Sequence, residues 1–130
     1  MGDSTNNTNV LGDHDNSGVV PTVVCLCGST RFKCAFEVAM RDETLAGKIV
    51  LSVGVFGHSE GLDMDEPTKT MLAALHLRKI DMADEVLVLN VNGYIGASTR
   101  QELHYAIEHG KRVRYLEDRS PHHQHFQHLP

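Results

Sequence analysis

The stretch "CLCGSTRFK", residues 25–33, decides how the chain begins to fold. An apolar run ends in Gly-Ser-Thr and is followed at once by Arg31, which is the pattern of a strand, a tight turn and a helix with a cation in its first turn. Such a turn directs backbone N–H groups, hydroxyls and a guanidinium towards one point, where a phosphate fits. The alternative is that Ser29 or Thr30 only caps the helix and Arg31 is solvated.

The rest of the chain alternates between strand and helix patterns. Apolar, β-branched runs predict strands at 22–27, 49–55, 85–90 and 112–116. Helical spacing predicts helices at 32–45, 67–82 and 100–109. This order predicts an α/β fold, a doubly wound parallel sheet of the Rossmann or flavodoxin type, with four to five strands and helices on both faces. Ligands bind such sheets at the carboxyl ends of the strands.

Composition limits the class of protein. The 130 residues are 41% hydrophobic and 22% charged, and the net charge of −5 gives no basic surface for nucleic acid. We expect a flexible leader at 1–21, one α/β domain at 22–118 and a flexible tail at 119–130 whose histidines bind metal, if at all, without a fixed geometry. No apolar run is long enough to span a membrane and no signal peptide is recognisable, so the expected location is cytoplasmic.

The cysteines do not form a disulfide framework, because there are only three of them. Cys25 and Cys27 stand two apart in a predicted strand and therefore share one face. We expect buried free thiols there, with a functional thiol next to the turn as the alternative.

Two further loops should meet the Gly28–Arg31 turn at the edge of the sheet. The segment 56–65 is long and polar, which makes it a candidate binding loop containing Phe56 and His58. The loop 92–99 carries Tyr94, two hydroxyls and then Glu102. We expect the rings of Phe56 and Tyr94 to pack against a bound base.

Glu102 has two interpretations. Thr99-x-x-Glu102 matches a capping box, in which the glutamate bonds back to the start of its helix. The overlapping Ser98-x-x-Gln101 matches too, which leaves Glu102 available to face the crevice. A carboxylate near a helix N-terminus is expected to stay ionised.

Three segments together resemble one family. The turn "GSTR", the run "HLRKIDMADEVLVLN" and the ending "GYIGASTRQELHYAIEHGKRVRYLE" are similar to the nucleoside 2-deoxyribosyltransferase superfamily over residues 23–117. That superfamily includes base-exchanging transferases and hydrolases that cleave the N-glycosidic bond of nucleoside 5′-monophosphates.

The resemblance implies roles for particular residues. Glu102 matches the nucleophilic glutamate, and "GSTR" resembles the phosphate-binding turn of the 5′-monophosphate hydrolases. His76 stands where relatives commonly have an aspartate that assists the leaving base, and Gly96 stands where they have Asp or Ser beside the sugar. The implied catalytic residues are Glu102 and His76, and the implied substrate-binding residues are Gly28, Ser29, Thr30, Arg31, Phe56, His58, Tyr94, Gly96, Ser98 and Thr99.

The leading expectation is therefore a hydrolase that cleaves the N-glycosidic bond of a nucleoside or deoxynucleoside 5′-monophosphate. Two alternatives stay open: a nucleoside 2-deoxyribosyltransferase that exchanges bases, and a nucleotide-binding sensor without turnover. We expect no cofactor, no metal, no nucleic-acid polymer and no membrane as partners. Because the chain ends soon after its fourth strand, a pocket wall from a second copy, and hence a homo-oligomer, is expected.

Overall fold

Four parallel strands form one sheet in a computed structural model that describes residues 18–118. In chain order the elements are β1 (Val23–Cys27), α1 (Lys33–Leu45), β2 (Ile49–Leu51), α2 (Gly57–Glu60), α3 (Glu66–Met82), β3 (Glu85–Val88), a 3-10 turn (Val91–Gly93), α4 (Ala97–Glu108) and β4 (Arg112–Tyr115). The predicted α/β class, the parallel sheet and the helices on both of its faces are confirmed. The predicted tail, and all but the last four residues of the predicted leader, lie outside the described residues.

In the strand order β2-β1-β3-β4, the chain adds β2 on one side of β1 and then adds β3 and β4 on the other side. The order of addition therefore changes direction between β1 and β3. These two strands pair from Val24 opposite Glu85 to Cys27 opposite Val88, so their carboxyl ends lie side by side. In doubly wound sheets this reversal opens the crevice in which ligands bind. The topology thus selects one end of the sheet, after Cys27 and Val88, as the place for a site.

The alternation of side chains along β1 divides the core into two layers. Val24 and Leu26 pack with Phe36 on the α1 face. Cys25 and Cys27 point to the opposite face, where they pack with Ile80 of α3 and with residues of β3 and α4. Both cysteines are fully buried free thiols, as predicted.

Several element boundaries differ from the prediction. β2 ends at Leu51 rather than continuing to 55, and the segment 56–65 contains the short helix α2. Helix α4 begins at Ala97, three residues earlier than predicted, with Gly96 at its N-cap and no side chain as a cap. The capping boxes read from Ser98 and Thr99 were therefore wrong, because both residues already lie inside the helix.

The inward face of α3 also differs from the prediction. The helical spacing of the sequence predicts Met71, Leu72, Leu75 and Ile80 as residues available for the core. Met71 and Leu75 are instead about half exposed, whereas Ile80 is buried. His76 is buried in their place, with 5% of its surface exposed. None of the helices within residues 18–118 has both the length and the apolar character needed to cross a membrane.

Candidate active site

A cavity of about 680 Å³ opens at the carboxyl ends of β1 and β3. It is lined by parts of all three predicted loops and by α3 and α4. Its size falls in the range of about 300–1,000 Å³ that small-molecule sites occupy. All predicted site residues except Phe56 line it: Gly28, Ser29, Thr30, Arg31, His58, His76, Tyr94, Gly96, Ser98, Thr99 and Glu102.

The turn after β1 is held in place by its own polar groups. The hydroxyl of Ser29 accepts hydrogen bonds from the backbone N–H of Arg31 at 3.3 Å and from its Nε at 3.2 Å. The guanidinium lies over the ring of Tyr94, 4.8 Å from the ring centroid. Since Arg31 also lines the cavity, its remaining N–H groups can donate to an anion there.

Gly28 packs closely against the chain that follows β3. A Cβ at this position would lie 3.1 Å from the Cβ of Leu89 and 3.3 Å from the Leu89 carbonyl oxygen. The absence of a side chain lets the end of β1 approach the segment that follows β3. The turn and the loop 92–99 are thereby brought to the same cavity wall.

The segment 56–65 is tied to the turn through Thr30. The Thr30 hydroxyl and Nδ1 of His58 are 3.0 Å apart, and the Ser59 hydroxyl donates to the Thr30 carbonyl at 2.8 Å. These contacts fix the predicted binding loop against the Gly28–Arg31 turn. His58 is positioned at the cavity by the contact with Thr30.

The N-terminus of α4 supplies further donors to the cavity. Gly96, Ala97, Ser98 and Thr99 all line it, and no side chain caps the helix. The first N–H groups of a helix have no partner within it, and they carry the positive end of the helix dipole. Gly96 has room for no larger residue without movement, because a Cβ would lie 3.0 Å from the Tyr94 hydroxyl oxygen.

His76 of α3 and Glu102 of α4 meet at the floor of the cavity. Nε2 of His76 and Oε1 of Glu102 are 3.8 Å apart, and their side chains are 7% and 17% exposed. Burial raises the pKa of Glu102 and outweighs the opposing effect of His76, so the helix N-terminus does not keep this pKa low. Burial lowers the pKa of His76, but the Cys25 sulfur and Glu102 together leave it above its ordinary value.

Behind His76 lie the two thiols of β1. Nε2 of His76 is 3.6 Å from Sγ of Cys25 and 3.5 Å from Sγ of Cys27. The hydrogen bond from Cys27, assisted by His76, lowers the pKa of Cys25 to about 5, while the pKa of Cys27 is raised. Because successive side chains of β1 point to opposite faces of the sheet, only the face that carries Cys25 and Cys27 reaches His76.

One predicted site residue lies away from the cavity, and one further residue lines it. The partly buried ring of Phe56 packs edge-on against Phe36 at 5.4 Å, next to the core, and is not part of the cavity lining. Lys79 lines the cavity, and its Nζ donates to the Ser52 carbonyl at 2.7 Å. From the sequence alone, Lys79 is interpreted as a solvated charge. Its spacing of three residues from His76, which puts both side chains on one helix face, is the signal that could have identified it.

The chain matches no model of a known protein family, and no curated protein sequence is significantly similar to it.

Proposed function

We propose that this protein hydrolyses the N-glycosidic bond of a nucleoside 5′-monophosphate. The observation that carries the proposal is that one cavity is lined both by a set of N–H donors with an arginine, which we call the anion-binding set, and by a buried carboxylate–imidazole pair. The first set is the Gly28–Arg31 turn with the N-terminus of α4, and the pair is Glu102 with His76. A nucleotide has a phosphate at one end and a scissile glycosidic bond nearer its centre, so it needs both sets at once.

Glu102 is proposed as the nucleophile. Cleavage of the glycosidic bond builds positive charge on the sugar, which a carboxylate stabilises or traps as a covalent ester. In this step the bond between C1′ and the base breaks, and a bond forms between C1′ and a carboxylate oxygen of Glu102. Water then attacks C1′ and releases the carboxylate.

His76 is proposed as the proton donor to the leaving base. Its pKa is above the ordinary histidine value, which favours the imidazolium form that an acid must have. After the base has left, neutral His76 can accept a proton from the attacking water. The same side chain thus serves both half-reactions, as microscopic reversibility requires.

The anion-binding set is proposed to orient the sugar over Glu102. Binding energy from a phosphate remote from the reacting bond can position that bond in the geometry of the transition state. A substrate lacking the phosphate should therefore lose turnover as well as affinity.

The test is incubation of the full chain with a panel of nucleoside 5′-monophosphates and the matching nucleosides, while free base and sugar phosphate are measured. Release of base from the monophosphates supports the proposal. Release that needs a second, added base indicates transfer instead of hydrolysis. Binding without release of base contradicts both reactions and indicates a sensor.

A further inference from the structure

The three side chains behind the cavity floor converge on a single point. The Sγ atoms of Cys25 and Cys27 and a ring nitrogen of His76 all lie within 4.8 Å of one another, and all three residues are buried. We call this group the Cys–His cluster. Two sulfurs share one imidazole nitrogen, Nε2, at nearly equal distances of 3.6 and 3.5 Å. A single ring nitrogen makes one good hydrogen bond, so two sulfurs compete for it when only protons are present.

The two sulfur–nitrogen separations match those between ligands of a tetrahedral metal ion. With zinc bonds of about 2.3 Å to sulfur and about 2.0–2.1 Å to nitrogen, tetrahedral angles place sulfur and nitrogen about 3.5 Å apart. The two distances from Nε2 to the sulfurs agree with this value. One ion at the common centre would bond to all three atoms and remove the competition for Nε2.

A candidate for the fourth ligand, Glu102, lies on the cavity side of the cluster. Oε1 of Glu102 is 3.8 Å from Nε2 of His76, compared with the separation of about 3.4 Å expected between oxygen and nitrogen on one tetrahedral ion. Glu102 and His76 line the cavity, whereas the sulfurs lie deeper. An ion therefore has a path from solvent that passes Glu102 and His76 before it reaches the thiols.

We propose that Cys25, Cys27 and His76 form a binding site for one divalent ion of the zinc class, with Glu102 completing a tetrahedron. Two thiolates and an imidazole select borderline and soft ions over magnesium and calcium, which prefer oxygen ligands. Each thiol that becomes a ligand releases its proton. The sequence interpretation expected no metal, because the ligands come from β1, α3 and α4 and meet only in the folded chain.

Metal binding and glycosidic cleavage would exclude each other at this site, an implication that rests on the proposed function. The ion would bind Nε2 of His76, which is the proton donor in the proposed reaction. It would also bind a carboxylate oxygen of Glu102, which is the proposed nucleophile. Zinc is then an inhibitor that stabilises the fold, and a chelator restores activity.

The test uses Co²⁺ as a spectroscopic substitute for zinc, added to the full chain under anaerobic conditions with a non-thiol reductant. We expect one Co²⁺ per chain, absorption from sulfur-to-cobalt charge transfer and the intense visible bands of tetrahedral cobalt, all lost when Zn²⁺ is added. The histidines of residues 119–130 cannot produce sulfur-to-metal absorption, so binding there does not imitate the result. Cys34→Ser, which removes the exposed thiol of α1, is the matched control and should keep the full spectrum.

Cys25→Ser and Cys27→Ser should each abolish the charge-transfer absorption of the native site or weaken Co²⁺ binding by more than about tenfold. If either variant fails to fold, protection of the wild-type thiols from alkylation by Zn²⁺ provides the second measurement. Absence of charge-transfer absorption from folded wild-type protein, or its survival at unchanged Co²⁺ affinity in both cysteine variants, overturns the proposal. Because this readout needs no substrate, a protein that binds cobalt but cleaves no nucleotide when it is free of metal disproves the proposed function alone.

Discussion

At the scale of single residues, Glu102 carries the most specific prediction, because the structure removes its alternative interpretation as a cap of α4. Helix α4 starts at Ala97, so Glu102 lies beyond the first turn and cannot cap the helix. We expect Glu102→Gln to lower the turnover rate by at least about 10⁴-fold, the scale seen when a covalent nucleophile is lost, while nucleotide binding and melting temperature stay near wild type. Near-normal release of base by this variant would remove the covalent mechanism.

His76 should show the behaviour of a proton donor. We expect His76→Ala to slow base release by about 10²–10⁴-fold, the usual contribution of a positioned acid, with a smaller loss for bases that leave easily. The matched control is His104→Ala on α4, since His104 is exposed and pairs with Glu108. The same loss for all bases would indicate a structural role for His76 instead.

Arg31 should discriminate phosphorylated from unphosphorylated ligands. Arg31→Ala should weaken binding of a nucleoside 5′-monophosphate by about 1.5–3 kcal/mol, the range for a hydrogen bond to a charged group, and change nucleoside binding little. Calorimetric titration of both ligands measures the difference. Arg41→Ala, an exposed arginine of α1 paired with Asp42, is the control. Equal losses for the two ligands would disprove the phosphate assignment.

At the scale of elements, buried charges join β3 to its surroundings. Glu85 is 5% exposed and accepts hydrogen bonds from Lys48 at 2.9 Å and from Arg114 at 3.0 Å. Burial raises the pKa of Glu85, but these two cations outweigh it and leave the pKa below its ordinary value. A carboxyl group with a lowered pKa stabilises the fold above its unfolded pKa, and this contribution is lost as the pH falls through the folded pKa.

Glu85→Gln should therefore lower the free energy of unfolding by about 1.5–3 kcal/mol at neutral pH. At about pH 3, below the ordinary glutamate pKa of about 4.3, the difference between wild type and variant should shrink. Urea unfolding at both pH values measures it. A difference that stays constant or grows towards acid pH would show that the Glu85 ion pairs do not stabilise this sheet.

Local sequence signals identified most elements but not their faces or ends. The strand, turn and helix around Gly28–Arg31 could be predicted because the turn residues and the hydrophobic pattern that identify them are adjacent in the sequence. The start of α4 was misplaced because Ser98 and Thr99 look like caps, whereas the actual N-cap, Gly96, leaves the helix N-terminus open to the cavity. Helical spacing likewise cannot tell a side chain that packs on the sheet from one, such as Leu75, that borders a cavity.

The site was predictable where it consists of loops at strand ends and unpredictable where separate elements meet. Topology alone brings the turn after β1 and the loop after β3 together, so most cavity residues could be predicted. The contact of His76 with both thiols depends on how α3 lies across β1. No spacing along the chain predicts that crossing. Spacing likewise does not predict that the ring of Phe56 packs against the core.

At the scale of the whole molecule, an exposed apolar surface borders the cavity. Leu62 and Leu75 line the cavity and are about half exposed, and Met71 lies one helical turn from Leu75 on α3. Exposed apolar surface beside a binding site is typical of a surface that another protein covers. We therefore expect a homodimer or larger homo-oligomer in which a second copy covers this side of the cavity.

Met71→Glu tests this expectation, because Met71 belongs to the exposed surface but does not line the cavity. A charge that would be desolvated between two copies should shift the protein to a monomer in sedimentation velocity and lower nucleotide affinity along with it. The control is Val38→Glu on α1, an exposed apolar residue on the opposite face of the sheet, which should leave the assembly unchanged. A wild-type monomer at concentrations where nucleotide binding is complete would contradict the prediction, since the cavity would then need no second copy.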